Sequence, residues 1–461
     1  MAEQKKVPLY LHMYRCMRER METGVWPAGM RLESVREQAR RWGVSKFTVE
    51  RVYNLLAAEG YLKAHNRSRY EVRALPLSVK EMPKEAVPHL ARRSFRYDFR
   101  TAAMDARGFR FADWRPYMYR VWRNEERLLD YGDERGEWEL RDALARYGAD
   151  ARDTHAGADD IVIGSGVQQL LRLLARLIPA SARTIHFAEE AFEIGAATFA
   201  DEGYRVQSLA APIGSGAEWW HELERHRTQL LYVVPSYTYR AEGVLPAQAR
   251  TELLAWAART GGLIIEDDFA CELSYDGRPL PSLQGMGDGR QVVYIGSLSR
   301  VLPPSFRVAY MILPPALSAV YESRRSLYRQ TASVAEQLAL AEYIRRGELR
   351  KQMRRLRKLY RMKGSALTAA LVAAFGEDIR VDAPVAGIYC TVHIRTTRSR
   401  ESCLARAQAA GIGLREEPVH DGARTGEVSF RLVFGHMHED LFAEAAHALA
   451  AATTGEEVEH G

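Results

Sequence analysis

Apolar residues recur at helical spacing through the N-terminal part of the chain and then give way to short β-branched runs separated by polar stretches. Tyr10, Met13, Met17 and Met21 fall on one side of a helix that Gly24, Pro27 and Gly29 bring to an end. A second helix is expected from Ser34, an N-cap with Glu37 placed as in a capping box, with Val35 and Ala39 facing inward until Gly43. Ser45 caps a third, whose inner side carries Val49, Val52, Tyr53 and Leu56 and which stops at Gly60. Two short helices joined by a glycine-containing turn make a helix-turn-helix. Tyr61 to Lys63 and Tyr70 to Arg73 alternate like short strands, and the basic tip His65-Asn66-Arg67-Ser68-Arg69 between them reads as a wing.

Residues 74–96 contain Pro76, Pro83 and Pro88 with little apolar periodicity, the composition of a stiff linker. Beyond it, Ile161 to Ile163, Leu230 to Val234, Leu263 to Glu266, Val292 to Ile295 and Val308 to Ile312 alternate with helical stretches such as Val167 to Leu177 and Ala247 to Ala258. Strands spaced by helices imply a mainly parallel α/β sheet. After about residue 330 the pattern changes to long basic amphipathic helices through Phe375, then strands at Ile388 to Ile394 and Val428 to Phe434, then a closing helix from His438. The expected divisions are a head (1–73), a linker (74–96), a large α/β domain (97–330), a smaller α+β lobe (331–452) and a tail (453–461).

A length of 461 residues exceeds one compact core of usual size, in keeping with several domains. No apolar run follows the charged Met1 to Lys6, and stretches such as Leu170 to Leu177 are broken by arginine, so neither a signal peptide nor a spanning helix is expected and the chain is placed in the cytoplasm. Cys16, Cys271, Cys390 and Cys403 are scattered without metal-ligand spacing and read as reduced thiols, with no metal site. Charge changes the picture more. Residues 1–73 hold 15 Lys/Arg against 8 Glu and no Asp, so the +7 of this head exceeds the +6 of the whole chain. Such asymmetry points to a polyanion-binding head on a nearly neutral body.

The head resembles the winged-helix domain of GntR-type bacterial regulators through Ser34-Val-Arg-Glu-Gln-Ala, Gly43-Val-Ser-Lys-Phe-Thr-Val and Ala58-Glu-Gly-Tyr. Two positions depart from that pattern: Glu33 stands where proline is frequent, and Phe47 where a polar side chain is usual. The resemblance implies double-stranded operator DNA as a partner. The start of the third helix would offer Lys46, Phe47 and Thr48 to base edges in the major groove, with Arg36, Ser45, Arg67 and Arg69 on phosphates. Phe47 either meets a thymine methyl or packs inward.

Residues 97–452 resemble the fold type I aminotransferases, which use pyridoxal 5'-phosphate (PLP), and with the head the chain is similar to the MocR/GabR class of regulators. The matching landmarks are Asp130-Tyr-Gly-Asp-Glu-Arg-Gly-Glu-Trp-Glu-Leu-Arg, Gly164-Ser-Gly-Val-Gln-Gln, Glu266-Asp-Asp-Phe, Tyr275-Asp-Gly-Arg-Pro-Leu-Pro-Ser-Leu-Gln, Ser297-Leu-Ser-Arg and Phe430-Arg-Leu. The resemblance implies a phosphate cradle at Ser165, Gly166 and Val167, further phosphate ligands at Ser297 and Arg307, a ring-stacking Phe192, Asp267 on the pyridinium nitrogen and Arg431 on a substrate or effector carboxylate. It also puts Arg300 where the family has its Schiff-base lysine and Phe269 where it has a tyrosine, while Pro235 to Gly243 lacks the usual Asn-Pro pair. Guanidinium stays protonated and is a poor nucleophile, and no lysine lies between Lys84 and Lys351. No catalytic residue is therefore assigned. The expectation is a homodimeric DNA-binding regulator whose aminotransferase-like body senses a small anion, either noncovalent PLP or another phosphorylated or carboxylated molecule. The alternatives are a PLP-dependent aminotransferase with a regulatory head, and a ligand-free dimerisation scaffold.

Overall fold

The structure is a computed structural model that describes residues 8–65, 69–74, 94–179, 181–188, 192–209, 213, 219–236, 244–269, 271–275, 280–382, 384, 386–416 and 425–454. The chain divides into two compact units, Met1–Arg93 and Ser94–Gly461. In the first, helices α1 (Leu9–Glu22), α2 (Val35–Trp42) and α3 (Lys46–Ala58) precede an antiparallel hairpin of β1 (Leu62–His65) and β2 (Arg69–Val72). The capping box forms as expected: the Ser34 hydroxyl accepts from the Glu37 amide at 3.3 Å, and Glu37 accepts from the Ser34 amide at 3.0 Å. Gly43 then closes α2 at φ 63°, a left-handed conformation that glycine adopts without strain. Met13, Met17, Val49, Val52, Tyr53 and Leu56 are all fully buried and make one small core.

The second unit is built on a seven-stranded sheet. Its strands are β4 (Ile161–Gly164), β5 (Thr184–Phe187), β6 (Arg205–Ser208), β7 (Leu230–Val233), β8 (Leu263–Asp267), β9 (Val292–Ser297) and β10 (Ala309–Ile312), after β3 (Tyr97–Asp98). The spatial order is β4-β10-β9-β8-β7-β5-β6; all neighbours are parallel except β10, which runs antiparallel to both β4 and β9. The central strands are buried along almost their whole length, because apolar clusters cover both faces of the sheet. Two strands were not foreseen. His186 interrupts β5, and Gln207 together with exposed ends makes β6 a polar edge, so neither presents a β-branched run.

The C-terminal part adds a three-stranded antiparallel sheet of β11 (Ile379–Asp382), β12 (Tyr389–Arg395) and, after β13 (Ile412–Gly413), β14 (Glu427–Val433). One face is apolar, with Cys390, Val392, Leu432 and Phe430 buried. The 28-residue helix Glu348–Phe375 packs on this sheet and on the closing helix Phe442–Thr454. The short β3 pairs in parallel with β13, and Val433 donates to the Phe99 carbonyl, so the start of the unit is tied to strands of its C-terminal part. Among the described residues no helix is long and apolar enough to cross a membrane.

Candidate functional site

In the body, the carboxyl end of β8 carries three consecutive buried acids, and each solves its burial differently. Glu266 accepts from the amides of Leu283 and Gln284 at 2.8 and 3.0 Å; burial and its neighbour Asp268 still push its carboxyl upward. Asp268 pays for burial with a full complement of donors: Arg152 at 2.5 and 3.0 Å, the Ser236 hydroxyl at 2.5 Å and the Tyr294 hydroxyl at 2.7 Å. Burial opposes its charge, but the Arg152 guanidinium outweighs it and holds the carboxyl below the ordinary range. Asp267 is the exception. Its Oδ2 accepts from the Tyr232 hydroxyl, whereas its Oδ1 is buried with no hydrogen-bond partner. Burial pushes it up to about 7, with Tyr232 and the Arg300 charge opposing. An acceptor left open in a dry setting costs about 1–3 kcal/mol unless something donates to it. Its position at the carboxyl end of a central parallel strand is where α/β folds bind ligands.

Around this acceptor the structure gathers several of the expected residues. Phe192 lies parallel to Tyr232, with ring centres 5.8 Å apart and planes at 18°. Phe269, following Asp267 by two, sits under the guanidinium of Arg300 at 4.9 Å and faces the Tyr389 ring at 6.2 Å. Arg300 also donates to the Ala102 carbonyl at 3.0 Å and to the Tyr389 hydroxyl at 2.5 Å, so its head group is held by two acceptors and two aromatic faces. Tyr389 on β12 shares one sheet face with Thr391, which pairs with Arg431 on β14, so Arg431 lies on the face that reaches Arg300.

The β4-to-helix turn supplies the second part. Ser165 donates its amide to the Thr331 hydroxyl at 3.1 Å, and Gly166 at φ 121° precedes the helix Val167–Leu177. A Cβ at Gly166 would come within 2.3 Å of the Arg307 guanidinium, so only glycine allows that cation to rest against the backbone at this helix N-terminus. Arg307 is itself exposed and left-handed at φ 52°. Ser297, at the end of β9, is half-buried and accepts weakly from the Ser299 amide at 3.5 Å. Tyr232, Thr331, Ala102 and Tyr389 had no part in the expected site. Each contact spans from 35 to 198 residues, and no local pattern announces it.

In the head, Lys46 and Phe47 are exposed at the start of α3, with Phe47 at 74%, which settles its orientation as outward. Ser45 is engaged in capping, accepting from the Thr48 amide at 3.1 Å. Arg36 on α2 and Lys46 line one shallow groove with Arg40, while Arg69 is exposed opposite His65 on the hairpin. Asn66, Arg67 and Ser68 of the hairpin tip lie outside the described residues, as do residues 237–243 and 276–279.

A basic winged helix-turn-helix followed by an aminotransferase-type α/β body defines a class of two-part regulator. Residues 9–72 match the family "Bacterial regulatory proteins, gntR family". The chain is 32% identical over 417 residues to the HTH-type transcriptional regulator YdeL of Bacillus subtilis, with 88% of each chain covered. It is 27% identical over 432 residues to a probable rhizopine catabolism regulatory protein, MocR, of Rhizobium meliloti, covering 90% of this chain and 87% of that one. Among solved structures, kynurenine aminotransferase of Pyrococcus horikoshii, crystallised with PMP, superposes with a TM-score of 0.68 at 22% identity, over 78% of this chain and 91% of that one. The protein belongs to the MocR-type HTH transcriptional regulators, with a GntR DNA-binding domain and an aminotransferase-like domain.

Proposed function

We propose that this regulator reads operator DNA as a dimer, and that its body senses a small anion held without a covalent bond, PLP or a relative of it. The observation that carries the reading is Arg300. The resemblance puts it at the position of the coenzyme lysine, and its guanidinium has no amine to give. It is moreover committed to Ala102, Tyr389 and Phe269.

The remaining residues fit the coenzyme. Asp267 Oδ1 is a buried acceptor in want of a donor, which a protonated ring nitrogen provides. Arg307 and the amides beside Gly166 suit a phosphate, Phe192 a ring face, and Arg431 a carboxylate. When bound, the coenzyme supplies an electron-withdrawing ring; the protein's part is to orient that ring on Asp267 and to exclude water. Dimerisation is supported by an unusual density of exposed large apolar side chains in one stretch of the body, Trp122, Leu129, Tyr131 and Trp138. In the head, Lys46, Phe47 and Thr48 are assigned to bases and Arg36, Ser45 and Arg69 to phosphates, and the resemblance adds Arg67, outside the described residues, to the phosphate contacts.

The ligand regulates only by favouring one arrangement of the protein over another. Fluorescence anisotropy with the upstream region of the neighbouring genes, with and without PLP, tests the reading. Sequence-specific binding that PLP shifts at least threefold supports it. Binding that no PLP concentration changes points to a scaffold, and turnover of an amino donor points to an enzyme.

A further inference from the structure

Three parallel neighbours, β7, β5 and β6, begin at one rim of the large sheet, at the end opposite to Asp267. An open depression of about 490 Å³ lies there, and its lining is dominated by Arg183, Arg205, Arg225, His226 and Arg227. These residues come from separate segments. Arg183 precedes β5, Arg205 opens β6, and Arg225 to Arg227 follow one another at the end of the helix Trp219–Arg225, just ahead of β7.

All four arginines are exposed. Arg183 donates to the Glu202 carbonyl oxygen at 3.4 Å and lies over the Tyr204 ring at 4.9 Å. The Glu202 carboxylate is taken by Arg176 at 3.0 Å, and Glu222 stands 3.9 Å from His226. Among the described residues, no carboxylate pairs with Arg183, Arg205, Arg225 or Arg227. The helix C-terminus explains the cations Arg225 and Arg227. It does not explain why two further arginines, one just ahead of β5 and one opening β6, converge on them, since like charges gathered in one concavity repel and focus a positive potential. Planar guanidinium forks from several directions match tetrahedral oxyanions, and the volume is that of a nucleotide-sized ligand.

We propose that this rim depression binds a compact polyanion with at least two phosphate groups, at a site separate from the Asp267 cleft. Calorimetry of the full chain at constant ionic strength, with inorganic tripolyphosphate and then ATP as titrants, tests it. Three proteins are compared: the wild type, the double variant Arg205→Gln/Arg225→Gln, whose side chains are exposed, and Arg307→Gln, which removes the cation at the β4 turn. The expected result is saturable binding of tripolyphosphate that weakens at least tenfold in the double variant and survives Arg307→Gln. Tighter binding of ATP than of tripolyphosphate would identify a nucleotide as the source of the phosphates, and equal binding a free polyphosphate. Absence of saturable binding, or saturable binding that the Arg205→Gln/Arg225→Gln variant leaves unchanged, would overturn the proposal.

Discussion

Replacing Asp267 with Asn should remove a specific pH-dependent weakness of the ligand-free protein. Asp267 is buried with one oxygen unpartnered, and its carboxyl is raised from 3.8 to about 7. Between those values the folded protein keeps a proton that the unfolded chain has released, so stability falls as pH rises through this window, and the loss is complete above it. About three units at about 1.4 kcal/mol each give a loss of about 4 kcal/mol. For a body spanning residues 94–461 this corresponds to about 5 °C in melting temperature. Asparagine keeps the acceptor for Tyr232 and carries no charge at any pH. Of that loss about two units, or about 3 kcal/mol, fall between pH 5 and pH 8, so scanning calorimetry at these two pH values should show the variant gaining about 4 °C on the wild type at the higher pH. Glu266 and Glu272, also raised by burial, remain in both proteins and cancel in the difference. Parallel pH dependences for the two proteins would refute the reasoning, because Asp267 would then be solvated or already paired.

Three further outcomes follow from the same geometry. Ser34→Ala removes the Glu37 amide's acceptor and should destabilise the head by about 1 kcal/mol, read from its unfolding followed by circular dichroism. Arg152→Met leaves Asp268 buried with only the Ser236 and Tyr294 hydroxyls and should cost about 3–5 kcal/mol in chemical denaturation, much of it recovered by Arg152→Met/Asp268→Leu. Arg69→Ala should weaken binding on every sequence and reduce the slope of log affinity against log salt by about 1, as a phosphate contact does, whereas Lys46→Ala should relax sequence preference at the base that it meets.

The head was legible almost residue by residue, because its helices are punctuated by local chemistry: Ser34 with Glu37, Gly43 and Ser45 fix the ends wherever the rest of the chain lies. Five of the seven large-sheet strands announced themselves as apolar runs because both faces are covered; β5 and β6 did not, since the one carries His186 and the other is a polar edge. The site was readable only as far as the resemblance reached. What holds Arg300 depends on Ala102 and Tyr389, which lie 198 and 89 residues away, and the donor to Asp267 comes from a neighbouring strand. Such contacts follow from strand order, which hydrophobic periodicity does not encode.

The central claim is that the body holds a PLP-type ligand by noncovalent contacts alone. The direct measurement is to saturate the purified protein with PLP, follow the absorption spectrum, reduce with borohydride and weigh the intact chain. A saturable spectral change that dialysis reverses, with the chain mass unchanged after reduction, is the predicted result. A chain heavier by one phosphopyridoxyl group fixed within the cleft, or a spectrum that the protein leaves unaltered at every concentration, would contradict it.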